Sequence, residues 1–233
     1  MNTHGHLKLI IGPMFAGKST ELMRTVATYK AIGKHVIAIN HSLNCRYGTD
    51  KINTHDKRKL EQCITCENLN EIDVSVIQNA DIVVVEELQF FPDAFRIISM
   101  WVDELGKTVI AAGLDGDSKR QPFGDVLKLI PLSDEVLKLS ALCAYCKDGT
   151  PGIFSLCRAS TEQSMSGNVL VGGSGKYDAV CRQHYNTLND KPKQPTKNQE
   201  KTKPSTKRIV KDAKSFSVDG KRAFSGLFEN PWL

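Results

Sequence analysis

The stretch Gly12-Pro13-Met14-Phe15-Ala16-Gly17-Lys18-Ser19 constrains this chain more than any other. It has the form G-x-x-x-x-G-K-S, a loop built to hold phosphate. Glycines let backbone N–H groups wrap phosphate oxygens, the lysine neutralises charge on the β and γ groups, and the serine hydroxyl reaches a magnesium ion. Such a loop works between a strand and a helix, whose N-terminus turns its partial positive charge toward the anion. Both flanks are legible. Leu7 to Ile11 is a short apolar-rich run, and Ser19 to Tyr29 lacks glycine and proline, with Leu22, Met23 and Val26 at helical spacing. A chance match in a glycine-bearing turn is the competing reading, and the agreement of all three contexts weighs against it.

Downstream, strand and helix patterns alternate. Gly33 ends the first helix, and His35 to Ile39 reads as a second strand. A polar loop from Asn40 to about Lys59, carrying Arg46, Tyr47, Thr54, His55 and Asp56, is long for a connection inside a compact domain and points to function. A third strand is expected near Cys63 to Cys66. Ile82 to Val85 is a continuous β-branched run, the pattern of a strand covered on both faces. It ends in Glu86-Glu87. Pro92 suits the first turn of a helix reaching about Leu105, with Phe95, Ile98, Val102 and Leu105 on one side. Thr108 to Ala112 is another buried strand, followed by a loop from Leu114 to Gly124. This order predicts an α/β fold, a P-loop parallel sheet flanked by helices. Ligands then belong at the C-terminal ends of the strands, where Glu86, Glu87 and Asp115 lie.

From Cys143 the glycines crowd and the alternation stops. Cys143-x-x-Cys146 and Cys181-x-x-His184 are two knuckle-spaced pairs, the donor set of a closed structural zinc site. A module with so little core would depend on that metal to fold. Cys63-x-x-Cys66 is a rival that could pair with either knuckle, although in a strand two such cysteines read more simply as small core residues. Cys45 and Cys157 have no partner at ligand spacing. The division expected is therefore 1–140 for the nucleotide-binding domain, 141–186 for the zinc-binding domain, and 187–233 for a lysine- and proline-rich tail that reads as disordered.

Charge narrows the function. Residues 1–185 carry 20 Lys+Arg against 21 Asp+Glu, and residues 186–233 carry 11 against 5, so the net +5 belongs to the tail. A basic catalytic face for nucleic acid is not indicated. No apolar run approaches the ~20 residues of a membrane span, and the start MNTHGHLK lacks a secretory pattern, so a cytoplasmic protein is expected. Within the body, adjacent acids ending a buried strand in a phosphate-loop protein suit two tasks. One acid supports magnesium and its waters, and its neighbour can accept a proton from the attacking group. Phe90, Phe91, Phe123 and Tyr177 come from different elements and could stack on a planar base, although core packing explains any one ring alone.

These motifs occur together in one order, and in that order the chain resembles the type II thymidine kinases, the cellular, bacterial and poxvirus-type enzymes. GPMFAGKSTELMR, RYG, THD, EELQFFPD, LDGDSKRQPFG, LCAYC and VLVGGSGKYDAVCRQHY carry the likeness, from about Lys8 to Tyr185. The resemblance implies transfer of the ATP γ-phosphate to the 5′-hydroxyl of thymidine or deoxyuridine by a homotetramer, with magnesium and structural zinc. Carried over by position, Gly12, Pro13, Met14, Phe15, Ala16, Gly17, Lys18, Ser19 and Thr20 would hold ATP, with Ser19 on magnesium. Glu86, Glu87, Leu88 and Gln89 would complete the nucleotide site. Glu87 would be the base, Arg46 would contact the transferring phosphate, and Cys143, Cys146, Cys181 and His184 would bind zinc. Met14, Phe90, Leu114 and Phe123 would line the nucleoside pocket, under a lasso that includes Leu170, Val171, Gly172, Gly173 and Tyr177.

Four positions depart from the family pattern. Its Asp-Glu pair is Glu86-Glu87 here, and a glycine that usually follows is Leu88. Its D-x-R is Asn44-Cys45-Arg46, and an aromatic wall of the base pocket is Ser118. Two rival functions follow from the same residues: an ATP-dependent nucleic-acid-binding zinc protein, disfavoured by the neutral body, and a non-catalytic homologue, disfavoured by Lys18, Ser19, Glu87 and Arg46.

Overall fold

The computed structural model describes residues 4–43, 63–158 and 176–189, and the backbone of 51–53 and 59–61. The strands in chain order are β1 (His6–Ile11), β2 (Val36–His41), β3 (Lys51–Asn53), β4 (Lys59–Glu61), β5 (Cys63–Cys66), β6 (Ile82–Glu86), β7 (Thr108–Gly113) and β8 (Glu135–Lys138). Six of them form one sheet in the order β5-β2-β6-β7-β1-β8, and every pairing in it is parallel. The strands β3 and β4 pair antiparallel with each other, inside the segment read as one long loop and just beyond it.

Side chains alternate across the pleat, and both faces are covered. Ile10, Ala38, Ile82, Val84, Ile110 and Ala112 face helix α1 (Lys18–Ala31), which buries Leu22, Thr25 and Val26 against them. Leu9, Ile11, Ile39, Val83, Val85, Val109 and Ala111 belong to the larger core, with Phe91, Ile98 and Trp101. That double covering is why the strands read as unbroken apolar runs. The strand β8 was not legible, because Glu135-Val136-Leu137-Lys138 is an edge strand and mostly exposed.

Two helices cover the larger core, α2 (Val74–Asn79) and α3 (Ala94–Ser99). The structure corrects one position on the expected face of the helix after Pro92: Ile98 and Val102 are buried and Leu105 packs against the core, while Phe95 is not part of it. Asp93 caps α3, and the helical path widens into a π-turn over Met100–Glu104, closed by Leu105 N donating to Met100 O at 3.1 Å. The buried stripe is Ala94, Ile97, Ile98, Trp101 and Val102, whereas Phe95 is 40% exposed. Trp101→Ala is expected to cost about 3–5 kcal/mol in urea unfolding, because the indole is buried in close-packed surroundings that relax only partly.

The Cys63-x-x-Cys66 pair lies within β5, and Cys66 is part of the larger core. Among the described residues neither joins the cluster formed by Cys143, Cys146, Cys181 and His184. Beyond β8, two short antiparallel ladders pair β9 (Ala141–Leu142) with β10 (Pro151–Gly152), and β11 (Phe154–Cys157) with β12 (Tyr177–Val180). Helix α4 (Arg182–Asn189) follows. Their core consists of Cys143, Leu156, Val180, Cys181 and Tyr185.

Candidate active site and metal centre

The phosphate-type loop leaves the C-terminal end of β1 and enters α1 through Gly17, whose left-handed backbone (φ 82°) sets the helix N-cap. Gly12 (φ 149°) has a second reason to be glycine: a Cβ there would lie 2.3 Å from the Leu139 carbonyl oxygen. Phe15 holds a left-handed conformation (φ 64°) without that freedom. At Gly17 a Cβ would meet none of the described atoms within 4 Å, so the left-handed backbone and not crowding is what favours glycine there. Met14 N donates to Ser155 Oγ at 2.9 Å, which ties the loop to β11. Thr20 stands in the first turn of α1.

Lys18 folds back over the loop, its Nζ donating to Pro13 O at 2.8 Å. Burial pulls its pKa below the usual lysine range, while the charges of Glu87, Glu86 and Asp115 oppose the shift. Ser19 Oγ donates to Glu86 Oε1. Glu86 ends β6 and is 4% exposed. Burial first, and the Glu87 carboxylate second, push its pKa up to about 8, against the Ser19 hydrogen bond and the Lys18 charge. Its Oε2 is buried and has no hydrogen-bond partner among the described residues. A buried carboxylate oxygen without a donor, beside a serine hydroxyl, is the hard-oxygen environment a divalent cation fits.

Glu87 sits one residue past the strand in a left-handed conformation (φ 57°, ψ 41°) that non-glycine residues adopt at a cost. Gln89 supports it. Its Nε2 donates to Glu87 Oε2 at 2.5 Å, and its Oε1 accepts from Leu114 N at 3.0 Å. One buried amide thus links the acid after β6 to the loop after β7. Leu88, where the family pattern has glycine, is buried in the larger core. Phe90 and Phe123 meet edge to face, 5.7 Å between centroids, and Asp115 pairs with Lys138 at 2.9 Å.

The strand ends therefore bring together Lys18, Ser19, Glu86 and Glu87, with Phe90, Leu114 and Phe123 beside them. Tyr177 opens β12, in register with Cys157. Arg46, Leu170, Val171, Gly172 and Gly173 lie outside the described residues. His41 and Ser155 were missed. His41, 5% exposed at the end of β2, accepts from Leu43 N at 3.0 Å and packs on Phe91 and Phe90 at 4.8 and 5.6 Å. Burial lowers its pKa, opposed by a hydrogen bond to the Glu67 backbone and by the charges of Glu67, Glu71 and Glu87. Its one legible sign was its place at a strand's C-terminal end.

Cys143, Cys146, Cys181 and His184 form a second centre, their ligand atoms all within 4.8 Å of one another. His184 Nδ1 lies 3.5, 3.3 and 3.3 Å from the sulfurs of Cys143, Cys146 and Cys181, and the sulfurs of Cys146 and Cys181 are 3.8 Å apart. A tetrahedral zinc ion with ordinary bond lengths requires edges of about 3.8 Å between sulfurs and about 3.6 Å from sulfur to nitrogen. The four residues fit zinc, with His184 ligating through Nδ1. Tyr145 stacks on the His184 ring at 5.5 Å and donates to Asp178 Oδ2 at 3.1 Å, fixing the imidazole from outside.

Comparison with known proteins agrees with this geometry. A family profile described as thymidine kinase matches residues 5–185. The thymidine kinase of monkeypox virus is 43% identical over 186 residues, covering 78% of this chain and 97% of that protein. That of rabbit fibroma virus (strain Kasza) is 40% identical over 181 residues, 78% of this chain and 96% of its own length. A plant relative, the thymidine kinase of Oryza sativa subsp. japonica, is 39% identical over 186 residues, covering 78% of this chain and 66% of its own. The chain belongs to the thymidine kinase family.

Proposed function

We propose that this protein transfers the γ-phosphate of ATP to the 5′-hydroxyl of thymidine, and of deoxyuridine, giving the 5′-monophosphate. The observation that carries the reading is the meeting of Lys18, Ser19, Glu86 and Glu87 at the C-terminal ends of the strands, beside the rings of Phe90 and Phe123. Phosphoryl transfer asks the protein mainly for positioning and electrostatics. The backbone from Gly12 to Thr20 cradles the donor, and Lys18 exchanges the Pro13 carbonyl for phosphate oxygen. Ser19 and Glu86 would hold magnesium, which would offset charge on the donor phosphates. Leu88 and Gln89 complete the nucleotide side, and Gln89 holds the Glu87 carboxylate in place. Glu87 takes the proton of the 5′-hydroxyl. Met14, Phe90, Leu114 and Phe123 line the acceptor pocket, Arg46 contacts the moving group, and Leu170, Val171, Gly172, Gly173 and Tyr177 close over the nucleoside.

The proposal extends to the divisions 1–140, 141–186 and 187–233, and to a homotetramer in the cytoplasm. Among the described residues no helix is long and apolar enough to cross a membrane. The test is ATP-dependent phosphorylation of a nucleoside panel by the zinc-loaded protein. Thymidine and deoxyuridine are expected to be phosphorylated and purine nucleosides left untouched. Absence of turnover with ATP still bound would overturn the reading, and turnover of a different nucleoside would move the substrate.

A further inference from the structure

The loop after β7 is a tight hairpin, and a contact at its tip has no part in the chemistry described so far. Gly116 and Pro122 form an antiparallel bridge, and the Asp117 carboxylate accepts from Lys119 N and Gln121 N, each at 2.8 Å. Arg120, at the turn, has a left-handed backbone (φ 62°). That conformation sends its guanidinium onto helix α4. The Arg120 Cζ atom lies 4.4 Å from the Tyr185 ring centroid and 5.3 Å from that of Phe154, and Nη1 donates to Asn186 Oδ1 at 3.5 Å. Tyr185, 6% exposed, reaches back and donates its hydroxyl to the Ser118 carbonyl at 2.7 Å. The same helix carries His184, and Cys181 immediately precedes it.

The hairpin is tied at its root as well. Leu114 N is held by Gln89, and Gly124 packs so close that a Cβ there would lie 2.4 Å from the Gln89 carbonyl oxygen. Between root and tip lies Phe123, against Phe90. A hairpin fixed at one end only would leave Phe123 free to swing.

We propose that Arg120 is a positioning residue for the nucleoside: clasped with Tyr185 and Phe154, it fastens the 115–124 hairpin to the zinc-bearing helix and so fixes Phe123 against Phe90. The carbonyl of Ser118 supplies the second point of the clasp, at the position where the family pattern has an aromatic side chain. This inference rests on the proposed nucleoside kinase activity.

The test measures KM for thymidine and for ATP separately, beside hydrogen exchange of residues 115–124, in the full-length zinc-loaded protein. Arg120→Ala is expected to raise the thymidine KM about tenfold and leave the ATP KM and kcat within about twofold, because the acceptor loses a wall while the phosphate loop is untouched. Tyr185→Phe keeps the ring and loses the bond to Ser118, so its expected rise is smaller, about threefold. Arg120→Gly suits the left-handed backbone and guards against a folding defect. It is expected to behave like Arg120→Ala, and Arg120→Lys to recover part of the loss. Hydrogen exchange in the hairpin should speed up in the same order, with zinc content unchanged. A thymidine KM within twofold of the parent in Arg120→Ala, or full recovery by Arg120→Gly, overturns the positioning role. A parent protein that phosphorylates no nucleoside overturns the activity itself and the positioning role with it.

Discussion

Glu87→Gln is expected to lower kcat for thymidine phosphorylation by about 10²–10⁴-fold while ATP affinity stays within about threefold. The substitution changes little else. A glutamine has the same length, pays no more than glutamate for the left-handed backbone at φ 57°, and can still accept from Gln89 Nε2 through its amide oxygen. What it loses is the ability to take a proton. The donor side is independent, since Lys18 and Ser19 belong to the phosphate loop and Glu86 to the strand. Glu86 is no substitute, because burial, the first cause of its raised pKa, persists when the Glu87 charge is removed, and its Oε1 is engaged by Ser19. Stopped turnover with intact nucleotide binding, measured by fluorescent ATP-analogue titration and single-turnover kinetics, is the expected pattern. A near-parental rate in Glu87→Gln would remove the base from this residue. Gln89→Met gives a graded comparison: the base stays and its positioning amide goes, so a smaller loss is expected.

The strand ends were legible because both faces of the sheet are covered. Ile82 to Val85 has no polar interruption, so the position of Glu86 and Glu87 beyond it follows from chain order alone. The zinc ligands were legible for a different reason: two knuckle spacings at thiolate and imidazole leave few other chemistries. The helix after Pro92 was legible in part: Ile98, Val102 and Leu105 pack as expected and Phe95 does not. Periodicity fixes a stripe only to within a residue, and a π-turn over Met100–Glu104 leaves no sequence mark. His41 and Arg120 show the larger limit. Each acts through a partner far along the chain or through a backbone angle, and a single polar residue carries no spacing by which to name that partner. Ser155, 141 positions from the Met14 amide it accepts, is the extreme case.

Loss of zinc is expected to cost more than any side chain of the acceptor pocket. Among the described residues the apolar cluster beneath β9 to β12 and α4 has five buried members, and two of them, Cys143 and Cys181, belong to the candidate zinc site. Leu156, Val180 and Tyr185 remain, against an ordering cost of about 1–2 kcal/mol for every residue of the backbone. Such a segment cannot hold its fold on apolar burial, whereas closed structural zinc sites contribute about 10–16 kcal/mol in the smallest folds that depend on them. Cys146→Ala removes a ligand that is only half-buried, so the change itself leaves no large cavity. The variant is expected to bind well under one zinc per chain, to be cleaved rapidly by protease between residues 141 and 189, and to lose at least about 100-fold in thymidine turnover. Nucleotide binding is expected to suffer less. The phosphate loop would lose one bond, Ser155 Oγ to Met14 N, while the acceptor side would lose Tyr185 from Ser118 and Arg120 together with the helix that carries it. Chelation of the parent protein should reproduce the pattern, and added zinc should reverse it in the parent but not in Cys146→Ala. Full turnover and protease resistance after verified zinc removal would make the four-ligand centre dispensable, and would detach the acceptor site from the module argued to brace it.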